Sequence, residues 1–184
     1  MTTPSTRPLR ADARRNRDAI VAAARAAFDS GEQLRFDDFA AKAGVGVGTL
    51  YRHFPNRESL AAAVYRGEVT ALCERARDTA RPAAESLDAF IRDFVEYITA
   101  HAALARALAT AVDPAVQADG GTELEQTVAG LVERGARDGT VRPDATAGAV
   151  LVVLHGIGAA ADRPNWADES LVAAELLVRG LKPR

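Results

Sequence analysis

The stretch FDDFAAKAGVGVGTLYRHFPNRESL, Phe36 to Leu60, constrains this chain more than any other. Phe39, Ala40 and Ala43 recur at helical spacing, Gly44 stands where a helix needs a left-handed stop, and a second apolar pair, Leu50 and Phe54, resumes shortly after. Two brief helices joined by a glycine-containing turn read as a helix-turn-helix. The second helix carries Thr49, Tyr51, Arg52 and His53 around Leu50 and Phe54. Hydroxyl, guanidinium and imidazole groups suit phosphates and base edges, which is the composition of a recognition helix. Gly44-Val-Gly-Val-Gly48 invites a phosphate-loop reading, but it follows a helix rather than a strand and no Gly-Lys-Ser/Thr closes it. The glycines serve the turn, and they let backbone N–H groups at the start of the recognition helix approach DNA.

The run Thr49-Leu-Tyr-Arg-His-Phe54 followed by Arg57-Glu-Ser-Leu60 resembles the signature of the TetR family of bacterial transcriptional regulators, over Asp12 to Tyr65. The resemblance implies an all-α fold of about nine helices. An N-terminal three-helix helix-turn-helix DNA-binding head would be joined by a long helix to a larger helical ligand-binding and dimerisation body. It further implies a homodimer on a palindromic double-stranded DNA operator, acting as a repressor and released by an apolar or amphipathic small molecule. Val47, Gly48, Thr49 and Arg52 are then candidates for base edges, and Tyr51, His53 and Arg57 for phosphates. Arg52 is the strongest for sequence discrimination, because a guanidinium bonds guanine bidentately, although a phosphate contact is also open to it. Two positions depart from the family pattern. Arg35 stands where a threonine often begins the second helix, and could supply a phosphate contact instead. Gly46 replaces a frequent serine and is the weaker cap.

The net charge of −2 conceals an asymmetry: residues 1–67 hold 11 Lys+Arg against 7 Asp+Glu, and residues 68–184 hold 12 against 18. A basic end of +4 on a body of −6 fits a DNA-binding head, and fits a solvated arginine-rich face equally well. Residues 1–11 read as a flexible basic arm, residues 12–66 as the head and residues 67–184 as the body. Arg7, Arg10, Arg14, Arg15 and Arg17 cluster where an arm could enter a minor groove or merely be solvated.

Along the chain, the first helix is expected from Asp12 to Ser30, and the fourth from an Asn56 cap to about Thr79. Arg81-Pro82 marks a break. Ser86 to Ala102 gives the clearest amphipathic pattern, with Leu87, Phe90, Ile91, Phe94, Val95 and Ile98 on one wide face. Ala103 to Val112 predicts a helix, Gln117 to Gly121 a loop, and Thr122 with Glu125 a capping box ahead of the next helix. Two final helices are expected over Asp144 to Ala161 and Asp168 to Leu181. The former is apolar over more than one face and contains Gly148, Gly156 and Gly158, so it predicts two packing partners. In the resembled family the last two helices pair with their copies; the other reading is a central helix of a monomer.

The histidines at 53, 101 and 155 are far apart with no acidic cluster, so no metal site is expected. Nothing in the sequence calls for a cofactor. Cys73 is the single cysteine, which excludes an intramolecular disulfide and points to a reducing cytoplasm. No apolar run is long enough to span a bilayer. No catalytic set converges, so an enzyme is not expected. Phe90, Phe94, Tyr97, His101, His155 and Trp166 are candidates for a ligand chamber, with core packing as the alternative for the aromatics and an internal hydrogen bond for the histidines. The competing class is a helical binding or scaffold protein that retains an unused head.

Overall fold

A computed structural model describes residues 7–30, 32, 34–77, 80–101 and 114–183. Among these residues there are eight helices and no strand, the all-α architecture expected. They are α1 (Arg7–Asp29), α2 (Asp38–Lys42), α3 (Val47–His53), α4 (Arg57–Ala76), α5 (Ala83–Ala100), α6 (Pro114–Arg137), α7 (Ala147–Ala159) and α8 (Trp166–Gly180). The chain divides into two compact units between Val64 and Tyr65, within α4.

In the first unit α1 packs on α2 and α3. Ile20, Ala24 and Ala27 of α1, Phe39 and Ala40 of α2, and Leu50 of α3 have no exposed surface. The corner between α2 and α3 depends on Gly44, whose φ of +68° is a conformation that a side chain would strain. The turn is closed by Gly44 N–H to the Ala41 carbonyl at 3.1 Å and Val45 N–H to the Ala40 carbonyl at 2.9 Å. Asn56 caps α4 as expected. Its Oδ1 accepts from Ser59 N–H at 2.8 Å, and its own N–H donates to Ser59 Oγ at 3.4 Å, a reciprocal arrangement that satisfies two otherwise orphaned donors.

In the second unit α5 packs against α6, α7 and α8. Its Leu87, Phe90, Ile91, Phe94, Val95 and Ile98 are buried, as the periodicity predicts. Leu124, Val128 and Leu131 of α6, Val150 and Leu154 of α7, and Ala174 and Val178 of α8 complete the same core. Trp166 closes one end, with its Nε1–H donating to the Ile157 carbonyl at 2.6 Å.

Several expected boundaries shift. Helix α1 begins at Arg7 rather than Asp12. A proline in the first turn, Pro8, removes a donor that has no intrahelical acceptor there anyway, and Asp12 pairs with Arg15 instead of capping. Helix α5 begins at Ala83, so Ser86 lies inside it. The loop expected over Gln117 to Gly121 is helical, and Thr122 and Glu125 lie inside α6 rather than forming its cap. Pro114 suits a first helical position, and glycines inside a helix cost only about 1 kcal/mol each, which tertiary packing can override. Helix α7 is capped by Thr146, whose Oγ1 accepts from Ala149 N–H at 3.1 Å, and α8 starts at Trp166 rather than Asp168. The helix expected over Ala103 to Val112 lies outside the described residues.

Close approach in the second unit is concentrated at Gly135. A Cβ there would lie 2.4 Å from Val141 Cγ2 and 2.9 Å from Val141 Cβ, while Thr140 and Val141 N–H groups both donate to the Gly135 carbonyl at 2.8 and 2.9 Å. Valine is stiff at χ1, so it cannot swing aside cheaply. Gly135→Ala is expected to lower stability by about 1–3 kcal/mol through overpacking, read from the urea midpoint, whereas Gly130→Ala, where a Cβ meets nothing within 4 Å, should not lower it.

Candidate nucleic-acid interface

Helix α3 is held in place by buried Leu50 and by one of its own candidate contact residues, Tyr51. The Tyr51 hydroxyl donates to Asp37 Oδ1 at 3.0 Å, and its ring stands edge-on to Phe36 with centroids 5.2 Å apart. The hydrogen bond to Asp37 holds the Tyr51 phenol above its ordinary pKa, so it stays a neutral donor. Arg52, one residue on, is exposed and makes no hydrogen bond or ion pair among the described residues. Val47 is 46% exposed, Gly48 is exposed, and Thr49 and His53 are half-buried. No side chain caps the start of α2, where the resemblance expects a threonine; the Arg35 backbone N–H donates to Asp38 Oδ2 at 2.9 Å, and the Arg35 side chain is exposed.

Arg57 makes contacts inside the head. Its Nη1 donates to the Leu34 carbonyl at 2.5 Å, and its guanidinium carbon lies 5.7 Å from the Phe28 ring centroid and 5.4 Å from that of Phe39. It ties α1, the loop before α2, α2 and the start of α4 together. A second cation, Arg17 of α1, covers the Phe54 ring at 5.3 Å. Sequence reasoning missed both roles, along with that of Asp37, because each partner is remote in sequence and no spacing encodes it.

The ligand candidates do not gather in one place. Phe90 and Phe94 are 2% and 3% exposed and stacked at 6.3 Å within the core, and Trp166 is buried with its N–H satisfied. Tyr97 is half-buried beside His101, ring centroids 4.6 Å apart, and His101 Nδ1 is 2.8 Å from the Tyr97 carbonyl. His155 is exposed on α7. None of the six lines the groove of about 600 Å³ that the second unit does contain. That groove lies between Ala76 and Arg77, at the end of α4, and the α6 face from Glu123 to Arg134. Cys73 is buried, and burial pushes its thiol pKa up, which opposes a nucleophilic thiolate.

The exposed large apolar side chains have a pattern. Val152 and Val153 of α7 and Leu171, Val172 and Leu176 of α8 account for five of the seven among the described residues; the other two, Val47 and Tyr51, are on α3. Among the described residues no group of three His, Cys, Asp or Glu could hold a metal, and no helix is long and apolar enough to cross a membrane.

Comparison with known proteins decides the family. The model described as transcriptional regulator SbtR-like, C-terminal domain, matches residues 82–183, and that of bacterial regulatory proteins of the tetR family matches residues 20–64. The chain belongs to the TetR family. A TetR transcriptional regulator from Streptomyces coelicolor is 34% identical, covering 91% of this chain and 98% of that one at a TM-score of 0.64. A TetR regulator from Mycobacterium vanbaalenii is 30% identical, covering 96% and 100% at 0.66. A third structure, the Thermus thermophilus FadR repressor in complex with lauroyl-CoA, is 19% identical, covers 91% and 96% at 0.64, and shares the fold. No curated protein matches the chain. As a TetR-family protein this is a DNA-binding transcriptional regulator and not an enzyme.

Arg52 and Arg57 should separate experimentally. Arg57→Gln, which loses the bond to the Leu34 carbonyl and the position over two rings, is expected to destabilise the protein by about 1–3 kcal/mol. Arg52→Gln should leave the urea midpoint unchanged. Equal midpoints for the two variants would contradict the structural role of Arg57.

Proposed function

We propose that this TetR-family regulator is a repressor that binds a palindromic operator as a homodimer and is released by a small-molecule effector held in its body. The observation that carries the reading is that the exposed large apolar side chains among the described residues fall on the recognition helix and on α7 and α8. Exposed apolar side chains on the last two helices, with Gly156 and Gly158 open to close approach, suit a self-complementary two-fold contact. Such a dimer presents two recognition helices about 34–36 Å apart, one DNA turn.

Within the head we assign base reading to Val47, Gly48, Thr49 and Arg52, with Arg52 as the main discriminator, since its guanidinium is uncommitted. Phosphate contacts fall to His53, to the exposed Arg35 side chain and to the Tyr51 hydroxyl, whose proton would turn from Asp37 to a phosphate oxygen. Arg57 is assigned to holding the head, in place of the phosphate role that the resemblance implies for it. Effector control is supported by the path of α4. One helix begins with Arg57 in the head and ends with Ala76 at the groove in the body, so a ligand there acts on an element both units share. To empty the operator, the effector must prefer the non-binding state: a shift from 1:99 to 99:1 needs about 10⁴-fold differential affinity.

Selection of bound fragments from genomic DNA, followed by titration at several salt concentrations, tests the reading. A palindromic site with steep salt dependence is expected. Arg52→Ala should cost about 1–3 kcal/mol on that site and relax preference at one position per half-site. Uniform weakening on all sequences would move Arg52 to the phosphates, and absence of any selected site would favour the scaffold reading. Sedimentation should give a dimer that Gly156→Leu weakens; a monomer at micromolar concentration would remove the paired α7–α8 face.

A further inference from the structure

The groove of the second unit has a composition that selects its ligand. Glu123, Gln126, Thr127, Gly130, Leu131 and Arg134 recur at three- and four-residue intervals, so one face of α6 forms a wall, opposite Ala76 and Arg77. Three charges line it. Arg77 is satisfied: Nη1 lies 3.2 Å from Glu123 Oε1, and Nη2 donates to Thr127 Oγ1 at 2.9 Å. Glu123 is satisfied as well, because its other oxygen accepts from Thr70 Oγ1 at 2.8 Å.

Arg134 is not. Its Nη2 is buried, and no acceptor among the described residues reaches it. Asp138, one turn further along, spends its carboxylate on Thr140, with Oδ1 accepting from the N–H at 3.1 Å and the hydroxyl at 2.5 Å, and feels Arg134 only as a neighbouring charge. A buried cationic donor without a partner is unfavourable, and a neutral groove plus one such donor has a surplus of one positive charge.

We propose that the groove binds a small amphipathic organic carboxylate, its oxygens on Arg134 and its apolar part against Leu131 and Ala76. The guanidinium fork matches a carboxylate, and Thr127 and Gln126 can complete its hydrogen bonds. A monoanion balances the surplus charge. Glu123 opposes a dianion such as a phosphate monoester, which decides between the two chemistries. The proposal rests on the body being an effector domain, and names the chemical class of the effector.

The test is isothermal titration of the full-length protein with octanoate and benzoate, with 1-octanol as the neutral control and octyl phosphate as the dianion. Octanoate or benzoate is expected to bind with millimolar Kd or tighter, and 1-octanol not to bind. Arg134→Gln should weaken carboxylate binding about tenfold or more, and Arg134→Lys should recover part of it. A second readout separates binding from folding: without ligand, Arg134→Gln should melt at the same temperature as the wild type or higher, because a buried donor without an acceptor is gone. Equal binding of octanoate and 1-octanol, preference for octyl phosphate, unchanged affinity in Arg134→Gln, or a marked fall in its melting temperature would each overturn the proposal. Operator binding is measured separately without any probe. A wild type that binds its operator and none of the carboxylates loses this inference and keeps the regulator reading.

Discussion

The wide apolar face of α5 sets the terms for everything packed around it. Leu87, Phe90, Ile91, Phe94, Val95 and Ile98 cannot be covered by one neighbour, because the stripe they form is broader than a single helix can shield. Three helices meet it, and α6, α7 and α8 each turn an apolar side inward to do so. Helices α7 and α8 carry more apolar surface than α5 can use. The remainder, Val152, Val153, Leu171, Val172 and Leu176, faces outward. Apolar side chains left exposed on two neighbouring helices suit contact with another apolar surface.

The head works under the opposite constraint. Two of its helices, α2 and α3, are short, and five or seven residues bury too little to hold an orientation by packing alone. Polar and aromatic contacts make up the deficit. Tyr51 binds Asp37, Asp38 accepts from the Arg35 backbone N–H, and Arg57 spans the Leu34 carbonyl and two phenylalanine rings. Charged side chains on a DNA-binding surface are therefore of two kinds. Some stabilise the scaffold, as Arg57 does, and some are left uncommitted, as Arg52 is. Only an uncommitted guanidinium can turn toward a base without the head losing a contact.

The body repeats this distinction in its groove. Arg77 and Glu123 neutralise one another and fix the end of α4 to α6, while Arg134 keeps a buried donor unspent. A buried donor held without an acceptor persists only where surrounding structure over-determines it or where a ligand supplies the missing group.

The residues by themselves determined the architecture: helical periodicity, the glycine corner at Gly44, the Asn56 cap and the amphipathic run through Ile98 all read correctly because each is encoded within one or two turns of chain. The recognition motif was legible for the same reason, its residues being consecutive. Local sequence was silent wherever tertiary packing overrode it. The glycine pair at 120 and 121 read as a loop and is helix, since a propensity deficit of about 1 kcal/mol per glycine yields to burial of the rest of α6. Phe90 and Phe94 could equally have lined a chamber or filled a core, and only the arrival of three helices made them core. Arg57 and Arg134 look alike in sequence. Tertiary structure alone decided that one is bound within the head and the other is left with a buried, unanswered donor, because partners for a long cationic side chain come from segments far away in the chain.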